Sequence, residues 1–164
     1  MISDGHKEND TDLTHLRTFT VDKDGTLDMD DAFSIEHRPG GGFVLGIHIT
    51  DAAGAIARDG VLDLAARRRG TSVYFPETVI PMFPGSLSDE HMSLWPGRAR
   101  AALSILIDYD ADEYPSGYRV ALTNIQSHRR LSYGEADEVL HGVPDPLSED
   151  LHLLHRIARQ RRQV

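Results

Sequence analysis

The sequence predicts an α+β domain built on a mixed, mostly antiparallel sheet with flanking helices, and three observations carry that expectation. Apolar and β-branched residues recur in short runs at 17–22, 33–37, 43–50, 71–75, 101–108 and 118–128, the lengths and compositions of strands. Turn dipeptides and tripeptides punctuate them, notably Pro39-Gly-Gly-Gly42 and Tyr114-Pro-Ser-Gly117. Helical spacing takes over at 61–69, 87–93, about 133–140 and the C-terminal stretch.

Residues 1–11 are polar and charged without an apolar period, which predicts a disordered leader, with the folded domain over 12–164. Arg17-Thr-Phe-Thr-Val-Asp22 alternates like a strand, and so does Phe33-Ser-Ile-Glu-His37. The Gly-rich turn after it leads into Phe43-Val-Leu-Gly-Ile-His-Ile-Thr50, so these two runs read as a hairpin. Val61, Leu64 and Ala65 recur at helical spacing. Ser132 with Glu135 has the spacing of a capping box. Asp145-Pro146 and Ser148 could open the last helix, whose Leu151, Leu154, Ile157 and Ala158 form one stripe.

Composition narrows the class. The chain of 164 residues carries 26 Asp and Glu against 17 Lys and Arg, a formal net charge of −9. That balance runs against a stand-alone nucleic-acid binder, because phosphate contacts need cationic side chains. There is no Cys, which fits a reducing, cytoplasmic location. Neither a long apolar run nor a signal-peptide pattern is present, so a membrane or secretory reading has no support.

The densest chemistry lies in Asp22-Lys-Asp24-Gly25-Thr26-Leu27-Asp28-Met29-Asp30-Asp31, with five carboxylates within ten residues. Two unit charges ~4 Å apart repel by about 1 kcal/mol in water and roughly 4 kcal/mol at an effective dielectric near 20. A converged cluster of this kind calls for a hard divalent cation such as Mg²⁺, Mn²⁺ or Ca²⁺. Three readings compete: a solvated acidic loop, an EF-hand calcium loop centred on Gly25, and a nuclease metal site. The EF-hand match is partial, since Thr20 stands where the first Asp belongs, Asp31 replaces the bidentate Glu, and the flanks read as strands. Asp22 and Asp28 are far enough apart in an extended chain that a shared site requires a turn, which Asp24-Gly25 can supply.

Asp22, then Asp28-Met-Asp30-Asp31-Ala32, Gly46-Ile-His48-Ile-Thr-Asp51, Leu62-Asp63, Arg69-Gly-Thr-Ser-Val-Tyr74, Ile80-Pro-Met-Phe-Pro84 and Leu87-Ser88 resemble, in order and spacing, the catalytic (RNB) domain of the ribonuclease II/ribonuclease R family. Met92-Ser-Leu-Trp-Pro96, Ile125-Gln-Ser127 and Leu131-Ser-Tyr133 continue the resemblance. The family's domain is about twice as long, so the resemblance implies the N-terminal half of an RNB-type catalytic domain. The second half, with the arginines that hold the scissile phosphate, would come from a C-terminal partner segment.

What the resemblance implies is a metal-dependent 3′-to-5′ exoribonuclease that hydrolyses single-stranded RNA to 5′-nucleoside monophosphates. Asp22, Asp28, Asp30 and Asp31 match its acid tetrad and would hold Mg²⁺ or Mn²⁺, with Asp22 and Asp31 as direct ligands. Asp30 would stand closest to the chemistry and Asp28 would support a ligand through water. Tyr74 matches a base-stacking position, Tyr133 borders the site, and Arg69 could meet a phosphate; Tyr74 and Tyr133 read equally as packed aromatics, and Arg67-Arg68-Arg69 as a solvated helix face. The alternative is an inactive metal-binding or scaffold fragment that pairs with a separate C-terminal half. His152 and His155 lack the companions of a zinc site, and His48 is expected to orient the strand end near Asp51.

Overall fold

The structure, a computed structural model, describes residues 10–75 and 77–162. Its framework is a sheet of six strands: β1 (Thr11–Asp12), β2 (Thr18–Asp22), β3 (Asp31–His37), β4 (Phe43–Thr50), β7 (Ala99–Tyr109) and β8 (Pro115–Ser132). A separate hairpin joins β5 (Val73–Tyr74) to β6 (Val79–Ile80). The helices are α1 (Ala52–Ala55), α2 (Val61–Arg69), α3 (Gly85–Leu87), α4 (Tyr133–Leu140) and α5 (Ser148–Arg162). Nine residues of the leader expected at 1–11 lie outside the described residues, and the sheet begins at Thr11, which pairs parallel with Thr123.

Strand β8 decides the architecture, because at 18 residues it is long enough to serve two neighbours. Its first two thirds pair antiparallel with β7, and its last third pairs parallel with β2. Antiparallel pairing continues from β2 to β3, β4 and β7, so five strands close into a ring. Closure removes exposed strand edges, and the narrow interior of a five-strand ring is filled by side chains, many of them small. Thr18, Thr20, Ser34, Ser104, Thr123 and Ser127 accordingly point to the buried side, each at most 1% exposed.

One large polar side chain, His48, sits among them and is fully buried. Its Nε2 lies 2.9 Å from Ser34 Oγ and its Nδ1 2.7 Å from Ser104 Oγ. Ser104 Oγ is 2.6 Å from Thr123 Oγ1, which donates to the Ala102 carbonyl at 3.3 Å. Taken in that direction, Ser104 donates to Thr123, His48 Nδ1–H donates to Ser104, and Ser34 donates to His48 Nε2: a neutral imidazole with every partner satisfied. Burial pushes its pKa down to about 4, in keeping with that tautomer. The sequence-based expectation that His48 orients the strand end near Asp51 is corrected here: the ring ties β3, β4, β7 and β8 together across the interior. Gly46 makes room for it, since a Cβ there would come within 2.6 Å of His48 Nε2.

Helices α4 and α5 cover the outer face of β2, β3 and β4. Phe19, Leu131, Val139, Leu147 and Leu151 form one apolar cluster, and Ile35, Phe43, Leu45, Tyr109, Leu153 and Ile157 another. The predicted capping box is present: Ser132 Oγ accepts from the Glu135 amide at 3.1 Å, and Glu135 Oε2 accepts from the Ser132 amide at 2.7 Å. Arg17 pins the start of α5 by donating to the buried Asp150 carboxylate at 2.6 and 3.1 Å.

Two expectations are revised in detail. The strand expected at 71–75 is only two residues long and belongs to the β5–β6 hairpin, because Val73 and Tyr74 are exposed and find no partner in the ring. The helix expected at 87–93 is the short α3 followed by a π-helical turn, Ser88–Met92, in which the Ser93 amide reaches back to the Ser88 carbonyl at 2.8 Å.

Candidate functional site at the mouth of the ring

Strand polarity brings the acids to one end of the ring. Asp22 ends β2, where it pairs with Ser132 at the end of β8, and Asp31 begins β3 opposite Ile49 near the end of β4. The connection from 23 to 30 crosses this mouth. It turns at Lys23–Thr26, where the Thr26 amide donates to the Lys23 carbonyl at 3.2 Å and Gly25 takes φ +80°, a conformation that favours glycine. Flanking strands, not helices, rule out the EF-hand.

Met29 fixes the loop's orientation. Its side chain is fully buried with Ala32, Leu94, Ala102 and Ile125, while its neighbours in sequence, Asp28 and Asp30, line an open cleft of about 460 Å³. Alternation about one buried residue sends both carboxylates to the same side. The cleft is walled by Thr50, Ser72, Tyr74 and Met82.

Like charge shapes the electrostatics. The Asp30 carboxyl is pushed up to about 6, first by burial and then by Asp28, Asp31 and Asp22. Asp31 is raised by burial and by Asp22. Asp22 Oδ2 is buried without a protein hydrogen-bond partner. Among the described residues no three His, Asp or Glu side chains are grouped so that they could hold a metal ion as they stand. The donor chemistry nevertheless fits a hard divalent cation: every candidate ligand is a carboxylate oxygen, the groups repel one another, and one buried oxygen is unpartnered.

A raised carboxyl pKa has a definite stability signature. Between about pH 4 and 6 the native state holds a proton on Asp30 that the unfolded chain has released, so stability falls as pH rises through this window. Removing the charge by Asp30→Asn is therefore expected to raise stability at pH 7.5 and not at pH 4. After discounting for solvent screening, the gain is on the order of 1 kcal/mol, about 2–4 °C in melting temperature. Melting curves of both proteins at the two pH values check this, and an equal shift at both would contradict it.

The other sequence-predicted residues divide. Tyr74 lies beside the acids: its hydroxyl donates to Asp28 Oδ2 at 3.3 Å, and at 65% exposure the ring is no core aromatic. Tyr133 opens α4 directly after Ser132 and is 60% exposed. Arg69 ends α2 and donates to the Met82 carbonyl at 3.0 Å, which holds the cleft wall. Arg67 pairs with Asp63 at 2.6 Å and Asp59 at 3.1 Å within its own segment. Sequence reasoning missed Ser93 and Thr50 as loop anchors; the signal available was Met29, an apolar residue inside a run of acids. A larger apolar cleft lies on the outer face, away from the carboxylates.

The RNB domain family model matches residues 10–164. This chain belongs to the RNB domain family. Ribonuclease R of Chlamydia muridarum is 35% identical over 149 residues, which make up 90% of this chain and 22% of that protein. The 3′-5′ exoribonuclease HELZ2 of Homo sapiens is 43% identical over 135 residues, 81% of this chain and 5% of that protein. Mycoplasma genitalium RNase R, solved with ribose-methylated single-stranded RNA, superposes with a TM-score of 0.86 at 28% identity, covering 97% of this chain and 26% of that one. Yeast Ssd1, a pseudonuclease, superposes at 0.83 and 26% identity over 93% of this chain and 19% of its own. The chain thus spans about a fifth of the first of these relatives, and the RNB fold occurs in both ribonucleases and a pseudonuclease.

Proposed function

We propose that this chain contributes the metal-binding acids of a hydrolytic 3′-to-5′ exoribonuclease acting on single-stranded RNA and releasing 5′-nucleoside monophosphates. The observation that carries the reading is the Asp30 carboxyl at the mouth of the ring, raised first by burial and then by the charges of Asp28, Asp31 and Asp22, so that the four acids feel one another. Asp22 and Asp31 would bind Mg²⁺, or Mn²⁺ in its place, directly; Asp30 would stand nearest the scissile bond, and Asp28 would support a water ligand. When bound, such ions supply Lewis acidity toward the phosphodiester and an acidified water. Tyr74 offers an exposed ring for the terminal base and steadies Asp28 through its hydroxyl. Tyr133 and Arg69 would border the RNA path. The names of the relatives, ribonuclease R and a 3′-5′ exoribonuclease, support the same reading.

The partner that completes the site is a C-terminal half of the same domain, as a continuing segment or a separate polypeptide. Its support is the outer face of β7 and β8, where Leu103, Tyr118, Val120 and Leu122 are exposed side by side, whereas α4 and α5 cover the outer face of β2, β3 and β4. A run of exposed apolar side chains on one sheet face suits an interaction site. Among the described residues no helix is long and apolar enough to cross a membrane, so a lipid partner has no helical support.

The likeness to a pseudonuclease favours a second reading, an inactive scaffold. A denaturing gel of 5′-labelled single-stranded RNA with Mg²⁺ separates the two. The 164-residue chain alone is expected to leave the RNA intact, because the described site is built of carboxylates, and loss of a preorganised donor to the developing charge costs ~10²–10³ in rate. Adding a polypeptide with the second half of the domain should restore stepwise shortening, and Asp30→Asn should abolish it. Shortening by the isolated chain, lost in Asp30→Asn, would overturn the two-part account. No shortening with both halves present would favour the scaffold.

A further inference from the structure

We infer that Ser93 is a positioning residue for the acidic loop, acting through the backbone of Met29. Met29 is held on both sides: its amide donates to Ser93 Oγ at 3.0 Å, and its carbonyl accepts from the Leu94 amide at 2.9 Å. Next along the chain, the Asp30 carbonyl accepts from the Thr50 amide at 2.9 Å, while Thr50 Oγ1 donates to the Met92 carbonyl at 2.8 Å. The loop is therefore clamped between the end of β4 and residues 92–94.

In this clamp a side-chain hydroxyl takes the place that a carbonyl would occupy in a strand pair. The Ser93 carbonyl is used elsewhere, accepting from the Trp95 amide at 2.9 Å and from Arg100 Nε at 3.3 Å. The π-helical turn just before it adds one residue to an ordinary helical turn and so aims the Ser93 side chain inward; such turns re-aim side chains at functional positions. Ser93 and Met29 are both fully buried, so no water can replace the hydroxyl at the Met29 amide. Losing it frees the residue whose burial sets Asp28 and Asp30 on one face.

This inference rests on the metal-site reading only for its consequence, and the test keeps the two apart. Amide hydrogen exchange is measured in the wild type, Ser93→Ala and Ser93→Thr, with the β7–β8 ladder as internal reference. In Ser93→Ala the Met29, Leu94 and Thr50 amides are expected to exchange at least about tenfold faster while the ladder is unchanged. Ser93→Thr, which keeps the hydroxyl, should restore most of the protection. Mn²⁺ titrations of the same proteins should show weaker binding in Ser93→Ala, restored in Ser93→Thr. Unchanged exchange at the three amides, a uniform increase across the ladder, or Mn²⁺ affinity equal to wild type in Ser93→Ala would overturn the proposal. If the wild type takes up no Mn²⁺, the metal reading fails, and the exchange comparison still decides the clamp.

Discussion

Replacing His48 with alanine is expected to destabilise the protein by about 3–5 kcal/mol, near the upper end for a single substitution. The ring fills the interior where five strands meet, so its loss opens a cavity that small neighbours cannot collapse to fill. It also strips Ser34 and Ser104 of their shared partner in a space closed to water. Urea unfolding followed by circular dichroism measures the effect. His48→Gln, which can accept from Ser34 and donate to Ser104, should lose markedly less. A loss below about 1 kcal/mol in the alanine variant would mean that neither the packing of the imidazole nor its hydrogen bonds hold the interior together.

The same histidine gives a pH dependence opposite in sign to that of Asp30. Its folded pKa is depressed to about 4, so the unfolded chain takes up a proton below about 6.5 that the native state refuses. The stability contributed by a neutral His48 is complete above that value and erodes as pH falls toward 4. Asp30 works the other way, destabilising the metal-free protein above about 6. On the metal-site proposal, a cation that neutralises the acids would offset this penalty on binding.

Most of the strands and the last two helices were legible because their signals are local. Alternation places Phe43–Thr50, and the capping-box pair Ser132 and Glu135 starts α4 where the spacing indicates. Closure of the ring was not legible, since nothing in residues 115–132 alone says that one strand pairs with β7 on one stretch and β2 on another. For the same reason His48 was misread: its role depends on Ser104 and Thr123, which are 56 and 75 positions away in the chain and meet it only through that closure. At the site, charge density singled out the acids as candidates, and the loop turns at Lys23–Thr26 as Asp24-Gly25 predicts. Ser93 was not, because a lone serine carries no signal until the π-helical turn aims it at Met29.

If Asp22, Asp28, Asp30 and Asp31 form the divalent-metal site we propose, calorimetric titration of Mn²⁺ into the 164-residue chain will detect it. The comparison is with an Asp30→Asn, Asp31→Asn double variant, which keeps side-chain size but removes two charges from a group in which burial and then mutual repulsion raise Asp30. The wild type should bind with heat that saturates at a defined stoichiometry, and the double variant should bind at least about 100-fold more weakly, a loss of roughly 2.7 kcal/mol. Melting curves should agree, with Mn²⁺ stabilising the wild type and leaving the double variant unchanged. Equal affinity in the two proteins, or no binding by the wild type, would contradict the assignment of the mouth of the ring as a metal site.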